Sequence, residues 1–233
     1  MDKKILREGL ETLGYKISEK EEKNLSLYSE LLVEWNKKMN LTSVTEPAEI
    51  SVKHFLDSIV PIILIPPDKD KKVIDVGTGA GFPGMPIKII REDLDFTFMD
   101  SLNKRINFLK EVADSLELEK AEFIHARAED AGKDKKYREK YDYAVSRAVA
   151  PLKILSEYCI PFLNKGGIFM AFKSYDIDDE LNDAKSMIGN LGGRIKDIKE
   201  IKIPNTDIIR KIVLIEKIKE TPMQFPRRAN KIK

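Results

Sequence analysis

Cysteine is nearly missing from this sequence. Cys159 is the only one in 233 residues, so no disulfide can close within the chain. Long apolar runs are missing as well. None approaches the ~20 residues that a bilayer-spanning helix needs. The opening stretch, MDKKILREGLETLGY, carries charges throughout and lacks the apolar centre of a secretory signal. These absences set the expectation of a cytoplasmic protein without membrane attachment. An excess of one charge is lacking too. The net charge is +2, although 34% of residues are charged. Such a surface is well solvated but does not grip nucleic acid by charge alone, so any nucleic-acid site must be a local patch. Internal repeats and low-complexity segments are absent.

What is present divides in two. Hydrophobic residues make up 42% of the chain, enough for a substantial core. Residues 1–66 read as a helical extension. Ile5, Leu6, Leu10 and Leu13 fall on one helical face. Ser18 and Glu21 have capping-box spacing, and Leu25, Tyr28, Leu31, Leu32 and Trp35 follow at helical intervals. Asn40-Leu41-Thr42-Ser43 interrupts the pattern. Thr45 and Pro47 then start a helix carrying Ile50, Phe55, Leu56 and Ile59. Pro61, Pro66, Pro67 and the charged turn DKDKK close the region. From residue 67 onward the rhythm changes. Strands are expected at 73–76, 96–99, 121–125, 141–145 and 167–172, with helices near 84–91, 103–117 and 151–163 between them. This alternation predicts an α/β fold with a mostly parallel sheet. A helix near 177–190 precedes two alternating segments, 194–203 and 210–217. About six residues separate these, too few for a helical crossover, so they predict a hairpin and an antiparallel C-terminal strand.

The chemistry concentrates in VIDVGTGAGFPGMPIKII. A strand runs into Gly77, Gly79 and Gly81, and a helix follows with Pro83 and Pro86 in its first turn. Open α/β sheets bind ligands at this place, and glycine lets a ligand approach the backbone. A phosphate-binding loop needs a Gly-Lys-Ser/Thr ending, which is missing. A dinucleotide fingerprint fits Gly79, Gly81 and Gly84 only by starting two residues late. S-adenosylmethionine, a cation without phosphate, suits the acidic Asp75 two residues before Gly77. The second strand ends at Asp100, followed by Ser101. A carboxylate there can accept ribose hydroxyls, and it serves NAD equally well. The third strand ends in Arg127-Ala128-Glu129-Asp130, a short loop able to cover adenine.

These residues, with others, carry a resemblance. Trp35-Asn36, Asn40-Leu41-Thr42, His54-Phe55-Leu56-Asp57-Ser58, the run from Asp75 to Gly84, Ser146-Arg147-Ala148 and Phe225-Pro226-Arg227-Arg228 together resemble the RsmG (GidB) family of ribosomal RNA methyltransferases. The resemblance implies a Rossmann-like S-adenosylmethionine-dependent fold. It implies methyl transfer to guanine N7 in the 530 loop of 16S rRNA, with 16S rRNA or the small-subunit particle as partner and a monomer as the working state. It further implies that Gly77, Phe82, Ala128, Glu129 and Arg147 line the donor site. The family usually continues past its Pro-Arg pair with a glycine-proline stretch, where this chain reads Ala229-Asn230-Lys231-Ile232-Lys233.

The remaining residues fit an N7 acceptor without naming it. A pyrimidine C5 acceptor needs a cysteine nucleophile, and Cys159 sits in the apolar helical pattern LSEYCIPFL. An exocyclic amine often uses an Asn/Asp-Pro-Pro-aromatic loop, where this chain has Ser146-Arg147-Ala148-Val149-Ala150-Pro151. Guanine N7 has a lone pair and no proton, so positioning can supply most of the catalysis, and no catalytic residue is assigned. Arg147 is expected to meet guanine O6 or a phosphate, or else to form a surface ion pair. His54 and Asp57 share a helix face, as a buried pair or an RNA contact, and make no metal site. Lys104 and Arg105 read as a solvated helix start, and 133–140 as a solvated charged loop. Lys173, Arg227 and Arg228 are expected to meet RNA, the last two with Lys231 and Lys233 as a phosphate clamp. The alternatives are a methyltransferase for a small molecule or protein, and a non-enzymatic RNA-binding protein.

Overall fold

Strand β1 (Lys72–Val76) is buried along nearly its whole length because it lies at the centre of the sheet. The computed structural model describes residues 1–228. Seven strands order as β3-β2-β1-β4-β5-β7-β6. The parallel set is β1, β2 (Asp95–Asp100), β3 (Ala121–His125), β4 (Tyr141–Arg147) and β5 (Leu163–Lys173). Strand β7 (Ile209–Lys217) is antiparallel to both its neighbours, β5 and β6 (Gly193–Lys202). The expected hairpin and reversed strand are therefore present, the reversed strand lying inside the sheet and not at its edge. Between β1 and β4 the strand order changes direction. A crevice must open there at the carboxyl ends, where the chain leaves to opposite sides.

Helices α5 (Gly84–Ile90), α6 (Asn103–Ser115), α8 (Leu152–Cys159) and α9 (Asp178–Asn190) cover the sheet. The stretch after β3 is one helical turn, α7 (Ala128–Ala131), where sequence alone suggested a loop. In the extension, α1 (Lys3–Glu11) precedes α2 (Glu19–Asn36), whose start has the expected capping box: Ser18 Oγ accepts from Glu21 N, and Glu21 returns a bond to Ser18 N at 2.7 Å. Pro47 starts α3 (Pro47–Glu49), which runs through a π-helical segment (Ile50–Leu56) into α4 (Asp57–Leu64). The wider turn shifts the backbone ladder. The carbonyls of Lys53 and His54 accept from Arg147 and Ser58, at 3.4 and 2.6 Å.

Two apolar clusters fill the faces of the sheet. One joins Leu6, Leu10, Tyr28 and Phe55 of the extension to Val73, Phe96, Phe98 and Phe108. The other joins Ile74, Leu152, Leu155, Cys159, Phe169 and Phe225. Cys159 is thus a core residue, and burial pushes its thiol well above the ordinary range. The charged run 133–140 departs from expectation. Arg138 is buried, and its guanidinium donates to the carbonyls of Gly132, Thr221, Pro222 and Phe225. A charge can stay inside when every donor finds an oxygen.

Glycines separate packing from freedom. A Cβ at Gly84 would lie 2.5 Å from Asp75 Oδ2 and under 3 Å from Phe98 and Phe96. At Gly189, in α9, nothing lies within 4 Å. Gly84→Ala should destabilise the protein by about 1–3 kcal/mol through overpacking. Gly189→Ala should stabilise it by about 0.4–1 kcal/mol. Urea unfolding of the two variants measures both shifts, and equal effects at the two positions would refute this packing account.

Candidate active site

The loop after β1 is shaped from below by a carboxylate. Asp75 is fully buried, and its Oδ2 accepts from Thr78 Oγ1 at 2.7 Å and from Gly84 N at 2.9 Å. Those bonds close the turn onto the start of α5. Among the described residues Oδ1 has no partner, and burial raises the carboxyl pKa from 3.8 to about 7. Asp75 therefore builds the loop and does not face the crevice, and Gly81 behaves likewise. A Cβ at Gly81 would meet Leu109 and the Tyr28 hydroxyl at 2.7 Å. Tyr28 donates its hydroxyl to the Ala80 carbonyl, tying the extension to the loop.

Above the loop, at the switch point between β1 and β4, lies a cavity of about 580 Å³, a size that suits a small-molecule site. Gly77, Gly79, Asp100, Ser101, Ala128, Glu129, Phe82 and Arg147 all line it, so these expected positions do converge. Gly77 and Gly79 have φ of +71° and +61°. A Cβ at Gly77 would run into Val149 Cγ2 at 2.7 Å, so this glycine seats the loop after β4. At Gly79 a Cβ would meet nothing within 4 Å, and this is where backbone lies open to a ligand. Asp100 accepts from Gly79 N and Leu102 N, each at 2.9 Å, and from Arg105 at 3.3 Å. A carboxylate offers about four acceptor positions, so roughly one remains for a hydroxyl. Arg105 is thereby a cavity residue, not a solvated helix start. Glu129 makes only a 3.8 Å ion pair, to Arg127, among the described residues.

A second wall comes from the extension. Leu41, Thr42 and His54 line the cavity opposite the strand ends. Asn36 Oδ1 holds this loop by accepting from Leu41 N and Thr42 N. The His54 ring stacks on Phe82 at 4.2 Å and shares a 2.8 Å hydrogen bond with Thr42. Burial and the nearby Arg147 lower its pKa to about 4, so it is neutral at pH 7. Asp57 is not paired with His54. It binds Arg147 at 2.7 Å and Arg210 at 2.6 Å, and Arg147 lies 5.2 Å over the Phe82 ring. The Arg147 ion pair is largely buried, not superficial. Sequence reading missed His54 and Thr42 as lining residues, though the polar break at Asn40-Leu41-Thr42 marked the segment. It missed Tyr158 because LSEYCIPFL reads as core.

Two expected RNA contacts are engaged elsewhere. Lys173 lies outside the cavity and is held by Glu180 at 2.6 Å and the Ala150 carbonyl at 3.0 Å. Arg227 binds the buried Glu157 at 2.8 Å. Arg228 is exposed. Lys231 and Lys233 lie outside the described residues.

Asp75 gives a testable pH dependence. Its folded pKa is raised, so its stabilising share is complete below the unfolded value of 3.8 and is lost as pH rises to about 7. Asp75→Asn keeps an acceptor for Thr78 and Gly84 and removes the titration. Urea unfolding should show a flatter stability profile between pH 4 and 7 in the variant. An unchanged slope would count against the buried carboxyl as its source.

A family model described as rRNA small subunit methyltransferase G matches residues 21–210. Ribosomal RNA small subunit methyltransferase G of Clostridium perfringens (strain SM101 / Type A) is 49% identical over 228 residues, covering 98% of this chain and 95% of that protein. Its namesake from Alkaliphilus metalliredigens (strain QYMF) is 47% identical, covering 97% and 95%. Among solved structures, M. jannaschii TYW2 in complex with AdoMet superposes with a TM-score of 0.53 at 16% identity, over 70% of this chain and 77% of that one. The antibiotic-resistance methyltransferase Kmr gives 0.53 at 15%, over 66% and 89%. Those likenesses establish the Rossmann-like methyltransferase fold. With its sequence matched over nearly its full length, the chain belongs to the rRNA small subunit methyltransferase G family.

Proposed function

We propose that this chain transfers a methyl group from S-adenosylmethionine to N7 of a guanine in the 530 loop of 16S rRNA. The carrying observation is the two-sided cavity. One side has the open backbone at Gly79 and the acids Asp100 and Glu129, which suit a cationic donor bearing ribose hydroxyls. The other has the flat His54–Phe82 stack with Arg147 beside it, which suits a purine ring.

When bound, S-adenosylmethionine supplies an electrophilic methyl group on a sulfonium. The protein's part is to hold and orient. Asp100 and Ser101 would hold the ribose, Ala128, Glu129 and Tyr158 would flank the adenine, and Gly77 and Gly79 would let the amino-acid end approach the backbone. Arg147, fixed by Asp57, offers N–H groups to guanine O6 or to a phosphate. N7 requires no proton removal, and a neutral His54 with a pKa of about 4 is too weak a base to supply one. His54 serves as a surface for the ring.

The test is transfer of labelled methyl from S-adenosylmethionine to 16S rRNA, as naked RNA and as the small subunit, followed by borohydride reduction and aniline scission at N7-methylguanine. Scission within the 530 loop is expected. Methyl on an exocyclic amine or a pyrimidine, or no transfer to either substrate, would overturn the proposal. His54→Phe should keep the shape of the kcat/KM profile against pH, since no proton transfer at His54 is involved. Loss of a limb in that variant would restore His54 as a base.

A further inference from the structure

We infer that residues 221–227 are a strap that sets the spacing of two cavity walls, with Arg227 as a positioning residue for the methyl donor. This rests on the donor reading above. The strap crosses between α7, which brings Ala128 and Glu129 to the cavity, and α8, which brings Tyr158. Four anchors hold it. Arg138 donates to the carbonyls of Thr221, Pro222 and Phe225 and also to that of Gly132, just after α7. Phe225 is buried in the apolar cluster that contains Ala131 of α7 and Leu155 of α8. Pro226 packs on Gly132 so closely that a Cβ there would lie 2.9 Å from its Cγ.

The fourth anchor is an ion pair. Glu157 has no solvent exposure and accepts three bonds from Arg227, from the backbone N at 2.6 Å, Nε at 2.9 Å and Nη2 at 2.8 Å. A buried carboxylate needs such a partner, and a bidentate guanidinium fixes its direction. Glu157 immediately precedes Tyr158 on α8, so fixing Glu157 fixes the face of the helix that meets the cavity. Arg227 is itself half-buried, and its guanidinium is turned onto the buried Glu157.

The test uses the full chain. Glu157→Gln combined with Arg227→Gln removes the buried charge together with its partner, which protects folding. Arg227→Lys keeps the charge and loses the fork. Calorimetry gives affinity for S-adenosylmethionine, and titration at several salt concentrations gives the RNA slope. Both variants should bind the donor roughly fivefold or more weakly, at the low end of coupling between linked sites. The donor KM should rise, with kcat and the salt slope for RNA unchanged. Wild-type donor affinity in a variant that unfolds cooperatively would overturn the strap. A salt slope reduced by roughly 0.7, the loss of one phosphate contact, with donor affinity intact would overturn it in favour of RNA contact. Failure of the wild type to bind S-adenosylmethionine would instead defeat the donor reading itself.

Discussion

A carboxyl group buried at the centre of a sheet is costly unless its oxygens are used. Asp75 is such a group, and the molecule is arranged around using one of its oxygens. Oδ2 gathers Thr78 and Gly84, which bends the chain from β1 into α5 within a few residues. That bend admits no side chain at Gly84, so α5 lies directly against β1 and β2. The same bend projects Gly77 and Gly79 toward the crevice with φ positive. Tyr28 then reaches from α2 to the Ala80 carbonyl. The extension is thereby part of the loop's support and shares its apolar cluster with the sheet.

Charge is handled by pairing before it is offered outward. Asp57 holds two arginines, one on β4 and one on β7, and so joins the extension to two strands on the same side of the switch point. A single buried carboxylate between two guanidiniums leaves local positive charge beside the Phe82 ring. An electron-rich base edge would find that environment favourable. Other buried charges, Lys88, Lys217 and Arg138, are satisfied by carbonyls or an acid and do not line the cavity.

Legibility followed the distance between a residue and its partner. Asp100 and Glu129 could be read because each ends a strand, and parallel strands bring their carboxyl ends together whatever the details of packing. Asp75 was also readable as special, but its direction was not. The side chain alternates within a strand, and only the position of Gly84 shows that it points beneath the loop. Arg138 looked solvated because its neighbours in sequence are charged, while three of its four partners lie more than eighty residues away. Arg227 failed in the same way, since nothing near it signals Glu157. His54 and Tyr158 reach the cavity through helix packing, which periodicity places on a face but does not aim at a site, and Thr42 reaches it on a loop that Asn36 holds.

Order along the chain and order across the sheet disagree at the last two strands. Strand β6 is synthesised before β7 yet lies outside it, at the edge of the sheet. Until residue 217 has been made, β6 has no neighbour to join and β5 keeps an open row of amides and carbonyls. The sheet cannot close in the order of translation. Strand β7 has to be in place beside β5 before β6 can be held at the edge. A nascent chain halted before that point therefore exposes a long apolar edge, the kind of surface that recruits other strands and chaperones.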